Sequence, residues 1–376
     1  MPRTIWAVGA SVRALASSLV RGGYEILATD QFNDLDLQSL GSTQRIAHYP
    51  RDFLRYIRHG LADAWLYTGG LENHPELIDE IARSLPLLGN RGDVIRRVRN
   101  VRCLHDVLAT NGFRMPEMRT SLTDEDPPQW LIKSPRSSGG LGVSRITSSE
   151  PFLTSDHYYQ RFIAGSSYGA VFIATQDGAV LLGISRHLSA TPWNHAPEFQ
   201  FAGSIGPIRF DEPLQSEIVR LGNVIAQQFT LRGWFGIDFI LDPDQCLWVL
   251  EVNPRYTASV EVFERAVDVS SASLHMAACE HQSLDASLIH RFHTTKKIVG
   301  KAILYASRPC FSMPQISQLL LYRDETFGDI ADIPCGTASF RPGEPMLTMF
   351  AEGMCEDDVM QLLEQRCDKT ARIFAS

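Results

Sequence analysis

The sequence predicts an α/β and α+β fold in three parts, and three observations support this prediction. The first 92 residues alternate short apolar runs with helical patterns, which is typical of an open α/β domain. Residues 93–290 contain strands, helices and a hairpin rich in polar groups. From Lys296 short β runs predominate, and a last helix is expected at 356–365. We therefore expect domains at 1–92 and 93–290 and a small β-rich subdomain at 291–376.

The composition is that of an ordinary folded protein of 376 residues, 44% hydrophobic and 21% charged, long enough for two or three domains. A net charge of −8 argues against an extended nucleic-acid surface, so we expect small-molecule partners. Seven scattered cysteines are typical of reduced thiols in the cytoplasm. No apolar run approaches the ~18 residues of a spanning helix, so no membrane association is expected. The composition leaves open whether the protein is a homodimer.

The N-terminal domain begins with a predicted strand at 5–8, a helix at 12–21 and a second strand at 24–29 that is closed by Asp30. A dinucleotide-binding fingerprint requires three glycines in the first turn of such a unit. Only Gly9 stands there. A nicotinamide or flavin cofactor is therefore disfavoured.

A later strand, at 64–67, runs into the segment 68–73, Thr-Gly-Gly-Leu-Glu-Asn. Ligands bind beyond the carboxyl ends of strands in open α/β sheets, so Glu72 is a candidate substrate-binding residue. The alternative is equally well supported by the sequence, because an acid before a predicted helix at 75–83 can stabilise the start of that helix.

A predicted hairpin in the central domain carries the strongest signal for function. Apolar runs at 234–241 and 247–252 flank the turn Asp-Pro-Asp-Gln, in which proline suits the second position. Side chains alternate along a strand, so Glu251, Asn253 and Arg255 share one face, and Asp238 can lie opposite them. Two acids and an amide suit Mg²⁺ (or Mn²⁺) on a nucleotide phosphate, whereas zinc would need His or Cys. An ordinary surface hairpin is the alternative.

These residues, Asp238 and the run 251–255 (Glu-Val-Asn-Pro-Arg), resemble the metal-binding end of the ATP-grasp ligases. The resemblance implies that Asp238, Glu251 and Asn253 bind the metal of ATP and that Arg255 stabilises an acyl phosphate. The segment around Glu72 is similar to a stretch in biotin carboxylase and its relatives that faces the active-site cleft. The resemblance implies that residues 1–92 form the domain that precedes the ATP-grasp domain. It also implies that the ATP-grasp domain has two lobes.

A lysine and a glycine-rich loop follow each other at 130–143. Lys133 ends a predicted strand, and its charge can act on the same phosphates as the bare amides of the loop; the loop residues concerned are Ser138, Gly139, Gly140 and Gly142. The sequence contains no P-loop motif. The order of these features again resembles ATP-grasp proteins, and it implies a lid at about 119–158.

The strand that leaves this lid, at 158–165, matches the strand that holds adenine in the family. The match implies that Gln160 meets the exocyclic amine, while the Arg161 carbonyl and the Ile163 amide pair with the ring edge. Ile240 would pack beneath the base.

Five arginines lie in a helical-looking segment at 91–102. The family places a phosphate-contacting lysine eleven residues before the glycine that closes this helix, and here that position is Val101. Either Arg99 or Arg102 could take over this contact, although a guanidinium is not interchangeable with an ammonium. The sequence leaves this choice open.

His187 and His195 lie near the predicted cleft without the spacing of a metal motif, and we expect substrate contact at most. The C-terminal β runs resemble the small subdomain of biotin carboxylases and of a group of predicted ATP-dependent carboligases.

The resemblance implies an ADP-forming, ATP- and Mg²⁺-dependent ligase in which a carboxylate attacks the γ-phosphate and an amine then displaces phosphate. Cofactor synthesis is one candidate pathway. Bicarbonate is disfavoured as substrate, because biotin carboxylases follow their arginine with Gln-Val-Glu-His and Arg255 is followed by Tyr-Thr-Ala-Ser. A carboxylase that uses bicarbonate and a non-catalytic nucleotide sensor are the alternatives.

Overall fold

The computed structural model describes residues 2–57, 60–122, 129–136, 138–146, 157–314, 317 and 329–374. Within these ranges the chain forms two four-stranded sheets, an eight-stranded sheet and a two-stranded sheet. No helix in these ranges is long and apolar enough to cross a bilayer. The predicted mixture of α/β and α+β structure is confirmed.

The N-terminal sheet is parallel, in the order β3-β2-β1-β4. Its strands and the helices of this part are β1 (Thr4–Val8), α1 (Arg13–Arg21), β2 (Glu25–Asp30), α2 (Leu35–Gln38), β3 (Ser42–Arg45), β4 (Ala64–Tyr67) and α3 (Pro75–Ser84), with 3₁₀ turns at Arg51–Tyr56 and Leu71–Asn73. The strand β4 is buried at all four residues, as expected where layers cover both faces of a parallel sheet. The predicted strands and helix of this part are confirmed to within one or two residues.

The second sheet is antiparallel, in the order β5-β8-β6-β7. It follows α4 (Gly92–Val98) and α5 (Val101–Thr110), and its strands are β5 (Met118–Arg119), β6 (Trp130–Lys133), β7 (Val143–Arg145) and β8 (Tyr158–Arg161). Of the lid predicted at about 119–158, residues 123–128, 137 and 147–156 lie outside the described residues.

The arginine-rich segment is two helices rather than the single helical stretch that its pattern suggested. Asn100 separates them, and its side chain accepts hydrogen bonds from the backbone amides of Arg102 and Cys103. Asparagine is a favoured residue at helix N-termini because it satisfies such amides. The break places Arg99 at the C-terminus of α4 and Arg102 in the first turn of α5.

The central sheet has the order β13-β12-β9-β10-β11-β14-β18-β16. Its strands are β9 (Ser166–Ala174), β10 (Ala179–His187), β11 (Gly203–Ile208), β12 (Gly233–Leu241), β13 (Leu247–Asn253), β14 (Ile298–Tyr305), β16 (Asp329–Ala331) and β18 (Pro345–Gly353), while β15 (Cys310–Ser312) pairs with β17 (Ala338–Phe340). The accompanying helices are α6 (Glu212–Phe229), α7 (Ala258–Val267), α8 (Ala272–Cys279), α9 (Ala286–Thr294) and α10 (Glu356–Ile373).

The C-terminal β runs add strands to this central sheet, because β14 pairs with β11 and carries β18 beside it. The last helix is longer than predicted. It reaches Ile373 rather than residue 365, because the buried positions Val359, Leu363, Cys367 and Thr370 continue at helical spacing past that point.

Buried ion pairs connect the N-terminal helix to the rest of the chain. Arg13 in α1 is 3% exposed; it donates to Asp332 Oδ1 at 2.9 Å and to Glu261 Oε2 at 3.0 Å. Lys301 in β14 donates to the same Glu261 oxygen at 2.8 Å. Removing one member of such a set leaves a buried charge without compensation, so these contacts fix how α1, α7 and the C-terminal strands pack.

Candidate functional site

The predicted hairpin is formed by β12 and β13. Its register places Asp238 opposite Glu251. Asp242 shapes the turn, because its side chain accepts from the backbone amides of Asp244 and Cys246 and from the Trp248 indole. These bonds use the short side chain of aspartate in the way that is common in turns.

The two acids of the hairpin converge on one polar group. Asn253 Nδ2 donates to Asp238 Oδ2 at 3.1 Å and to Glu251 Oε1 at 3.2 Å. The NH₂ group of Asn253 therefore contacts both carboxylates. A cation at that position would contact both carboxylates in the same way. The Asn253 oxygen accepts from Arg255, so the amide would have to turn for that oxygen to join a metal. The prediction of Asp238, Glu251 and Asn253 as metal ligands stays a prediction.

Lys133 provides the positive charge beside these acids. Burial is the largest single influence on the pKa of Glu251 and would raise it, but the Lys133 ammonium, together with Arg99 and the hydrogen bonds from Asp238 and Asn253, lowers the pKa overall. Burial and the neighbouring Glu251 carboxylate raise the pKa of Asp238 well above its usual range. Burial lowers the pKa of Lys133, while the two acids oppose that shift. A cation at the end of β6 thus faces an acid pair on β12 and β13.

Arg255 lies between the hairpin and the N-terminal domain. Its Nε donates to Glu72 Oε1 at 2.8 Å, and its terminal nitrogens donate to Asn253 Oδ1 and to the Tyr256 carbonyl, both at 3.1 Å. The guanidinium also packs on Gly69, where an added Cβ would lie 3.1 Å from its central carbon. Glycine is thus the residue that lets the backbone approach this side chain.

Glu72 is 2% exposed and does not cap α3, which begins at Pro75 with no side-chain cap. Of the two interpretations that the sequence allowed, the structure favours placement in the cleft. Its Oε1 contacts both Arg255 and Arg99, the latter at 3.3 Å. Its Oε2 is buried and has no hydrogen-bond partner among the described residues.

Arg99 rather than Arg102 points toward the cleft. Besides contacting Glu72, Arg99 donates to the Pro135 carbonyl just beyond Lys133, at 3.1 Å, and its charge helps to lower the pKa of Glu251. Arg102 is exposed on α5. The structure therefore places a guanidinium close to the position that the sequence left without a lysine.

The second sheet, β5-β8-β6-β7, which we call the lid sheet because it lies within the predicted lid and its flanks, carries Lys133 and Gln160 on one face. Leu131 pairs with Gln160 and Lys133 with Tyr158, and such cross-strand partners lie on the same side of a sheet. Gln160 is 1% exposed, and its Nε2 has no hydrogen-bond partner among the described residues. A buried donor of this kind costs free energy unless a ligand satisfies it.

The other predicted nucleotide-binding residues lie in or next to β8, in the glycine turn and in β12. Arg161 ends β8 and Ile163 follows it, while Ile240 in β12 lies against Gly165. Ser138 precedes a turn in which Gly139, Gly140 and Gly142 all have positive φ, between 63° and 79°, a conformation that glycine adopts readily.

His187 is nearer to the acids than the sequence suggested. It is the last residue of β10, its Nε2 lies 3.8 Å from Asp238 Oδ1, and its Nδ1 lies 3.3 Å from Ser167 Oγ. Burial lowers the pKa of His187 to about 4, so the imidazole is neutral near pH 7. The sequence signal that bears on the position of His187 is the alternation of side chains along β10, continued to the last residue of that strand. His195 lies in the loop that follows and has no side-chain hydrogen bond to these groups among the described residues.

Comparison with known proteins finds a family model that matches the part of the chain containing this site. Residues 99–259 match the family model described as an ATP-grasp domain, a range that contains Lys133, Gln160, the hairpin and Arg255. A curated relative, an uncharacterised protein of Methanocaldococcus jannaschii, is 23% identical over 291 residues, which is 74% of this chain and 67% of the relative.

Solved structures with the same fold cover nearly the whole chain. The carboxyaminoimidazole ribonucleotide synthase of Aspergillus clavatus, in complex with ATP, is 14% identical, with a TM-score of 0.75 over 99% of both chains. A biotin carboxylase of Campylobacter jejuni is 11% identical, with a TM-score of 0.74 over 100% of this chain and 96% of the other. An L-amino acid ligase of Bacillus licheniformis is 15% identical, with a TM-score of 0.71 over 98% of both.

The fold and the matched range therefore define a protein with an ATP-grasp domain. The family match covers residues 99–259, and over its whole length the chain shares the fold of the biotin carboxylase.

Proposed function

We propose that this protein is an ADP-forming ligase that uses ATP and Mg²⁺ to activate a carboxylate as an acyl phosphate and joins it to an amine. One observation carries the proposal. Asp238 and Glu251 converge on the Asn253 amide, the Lys133 charge acts on both acids, and Arg255 contacts the same Asn253. A site of this composition stabilises charge that develops on a transferred phosphoryl group.

Asp238 and Glu251 would hold the metal, and Asn253 would join them if its amide turned. Among the described residues no three His, Cys, Asp or Glu side chains gather as a metal cluster. Two carboxylates nevertheless suit Mg²⁺, which usually keeps waters and phosphate oxygens as its remaining ligands. The bound metal would neutralise charge on the phosphates.

The nucleotide would lie between the lid sheet and the hairpin. Lys133 and Arg99 supply positive charge for its phosphates, and Gln160 offers a buried amide nitrogen that has no hydrogen-bond partner in the part of the chain that the structure describes. The backbone at Ser138, Gly139, Gly140 and Gly142 would close on the phosphates, while Arg161, Ile163 and Ile240 would surround the base.

Arg255 would hold the carboxylate that is activated. A guanidinium has five N–H groups. Among the described residues, Glu72, Asn253 and Tyr256 accept from three of those of Arg255. Two N–H groups remain to bind an anion. A carboxylate oxygen forms a bond to the γ-phosphorus as the bond to ADP breaks. The amine nitrogen then bonds to the acyl carbon, phosphate leaves, and one proton is released.

The residue after Arg255 supports an amine as acceptor rather than a bicarbonate-dependent reaction. Tyr256 is buried, its ring packs on Trp234 at 5.0 Å, and its hydroxyl donates to the Ala14 carbonyl. This position is therefore occupied by core packing and offers no polar group to bicarbonate.

Product identity tests the proposal. Phosphorus NMR of reactions with a panel of candidate acids should show ADP and phosphate, and hydroxylamine should trap the activated acid as a hydroxamate. AMP and pyrophosphate would refute this class of ligase. ATP binding without turnover across the panel would favour the sensor alternative.

Lys133→Ala should weaken ATP binding by about 10- to 100-fold, the range expected when one charge-assisted hydrogen bond is lost. Isothermal titration calorimetry measures the affinity, and circular dichroism checks the fold. Lys297→Ala is the matched control, since the Lys297 side chain forms an exposed ion pair with Glu352 at 2.9 Å. Equal ATP affinity in both variants would remove Lys133 from the site.

A further inference from the structure

The glycine turn of the lid, residues 138–142, lies against a short strip of the loop before β11, residues 198–201. The Phe201 amide donates to the Gly139 carbonyl at 3.0 Å. At Gly140, with φ of 79°, an added Cβ would lie 1.8 Å from the Phe199 carbonyl oxygen. The two backbones therefore touch, and only glycine fits at the point of contact.

A second attachment lies beside the first. Arg145 in β7 donates to Glu198 at 2.8 Å. Its guanidinium lies 4.1 Å from the centre of the Phe162 ring and 5.4 Å from that of Phe199. Attraction between a cation and an aromatic ring adds to such an ion pair, so β7 and the turn are held to the same strip.

The strip itself is fixed to the central sheet. The hydroxyl of Tyr305 in β14 donates to the Phe201 carbonyl at 2.9 Å. Upstream, Asn194 is fully buried and braces its loop by accepting from the amides of Thr191 and Ala196 and donating to the Ser189 carbonyl. The lid turn thus contacts a rigid support.

Phe201 also contacts the histidine that lies beside Asp238. Its ring meets the His187 ring edge-on, with 5.5 Å between the centroids, and His187 Nε2 lies 3.8 Å from Asp238. The backbone of Phe201 therefore contacts the lid turn, and its side chain contacts His187. His187 in turn lies beside Asp238, a candidate metal ligand.

We propose that residues 198–201 are the catch on which the lid turn closes and that Phe201 is a positioning residue that links the closed lid to the acid pair. A lid held in this way excludes water, so an acyl phosphate reacts with the amine rather than being hydrolysed. This consequence rests on the proposed function, whereas the contacts themselves can be tested without nucleotide.

Two glycine variants isolate the contact. Gly139→Ala and Gly140→Ala impose similar backbone strain, since both residues have positive φ, but nothing lies within 4 Å of a Cβ at Gly139. Hydrogen–deuterium exchange of peptides covering 198–203 in the nucleotide-free protein is the measurement. Gly140→Ala should accelerate exchange by about 2- to 10-fold, the effect of losing one hydrogen bond, and Gly139→Ala should not. Equal exchange in both variants would overturn the catch.

A second pair of variants measures the consequence. Arg145→Leu should increase by about 3- to 10-fold the ADP that forms without amide or hydroxamate, the effect expected from losing a cation–ring contact and an exposed ion pair. Arg119→Leu is the control, because Arg119 pairs with Glu117 and lies over Trp130 in the same sheet. If both variants lost coupling equally, Arg145 would have no special part in closure. If ATP were never turned over, the exchange experiment would still decide on the catch.

Discussion

Replacing Arg255 by alanine is expected to lower the hydroxamate yield by about 10²–10³, the loss seen when one preorganised partner of a developing anion is removed. The guanidinium is already held by Glu72, Asn253 and Tyr256. It therefore needs little reorganisation when the anion forms. ATP binding should persist, because Lys133 and Gln160 belong to the lid sheet. Hydroxamate assays with calorimetric titration of ATP separate the two effects.

The control must account for Glu72. Arg255→Ala leaves this buried carboxylate with Arg99 as its remaining ion-pair partner among the described residues, and an uncompensated buried charge destabilises a fold. The double variant Arg255→Ala/Glu72→Gln removes that charge, and Arg255→Lys keeps the charge but loses the planar fork. Wild-type hydroxamate yield in a folded double variant would exclude Arg255 from the chemistry.

The hairpin could be predicted from the sequence because its information is local. Alternating apolar residues and an Asp-Pro-Asp-Gln turn determine which side chains share a face, and the structure places Asp238 opposite Glu251 as expected. The same reasoning found the strand that ends at Lys133.

Contacts between distant segments could not be predicted in this way. Glu72 and Arg255 are 183 residues apart in the chain, and Phe201 meets Gly139 only after the lid sheet packs on the central sheet. A loop composition indicates that a segment is irregular, but it does not determine what the segment contacts. His187 illustrates the same limit, since its distance from Asp238 depends on how β10, β9 and β12 align.

Two details of the site depend on which neighbouring groups form hydrogen bonds with an asparagine side chain. Asn100 divides the arginine-rich stretch because its carbonyl oxygen satisfies two helix amides, and this break determines that Arg99 faces the cleft. Asn253 directs its NH₂ group at both acids and its oxygen at Arg255. The residue types were evident from the sequence, whereas the direction of each amide depends on its neighbours.

Glu251→Gln is expected to abolish turnover at limiting Mg²⁺. The substitution keeps the shape of the side chain but removes one of the two carboxylates that converge beside Asn253. Mg²⁺ tolerates little distortion of its octahedral shell and has few protein ligands to lose. The change also removes the charge that faces Lys133, so the lysine should no longer be balanced by an acid pair.

Turnover measured over a Mg²⁺ titration, with Mn²⁺ in parallel, gives the test. Asp244→Asn provides a matched control, since Asp244 lies in the exposed turn of the same hairpin and its loss should leave the Mg²⁺ dependence unchanged. Thermal unfolding of both variants establishes that the hairpin is intact. Wild-type turnover by folded Glu251→Gln at limiting Mg²⁺ would show that the hairpin acids do not hold the metal, because an amide oxygen cannot supply the charge that a carboxylate provides to a divalent cation.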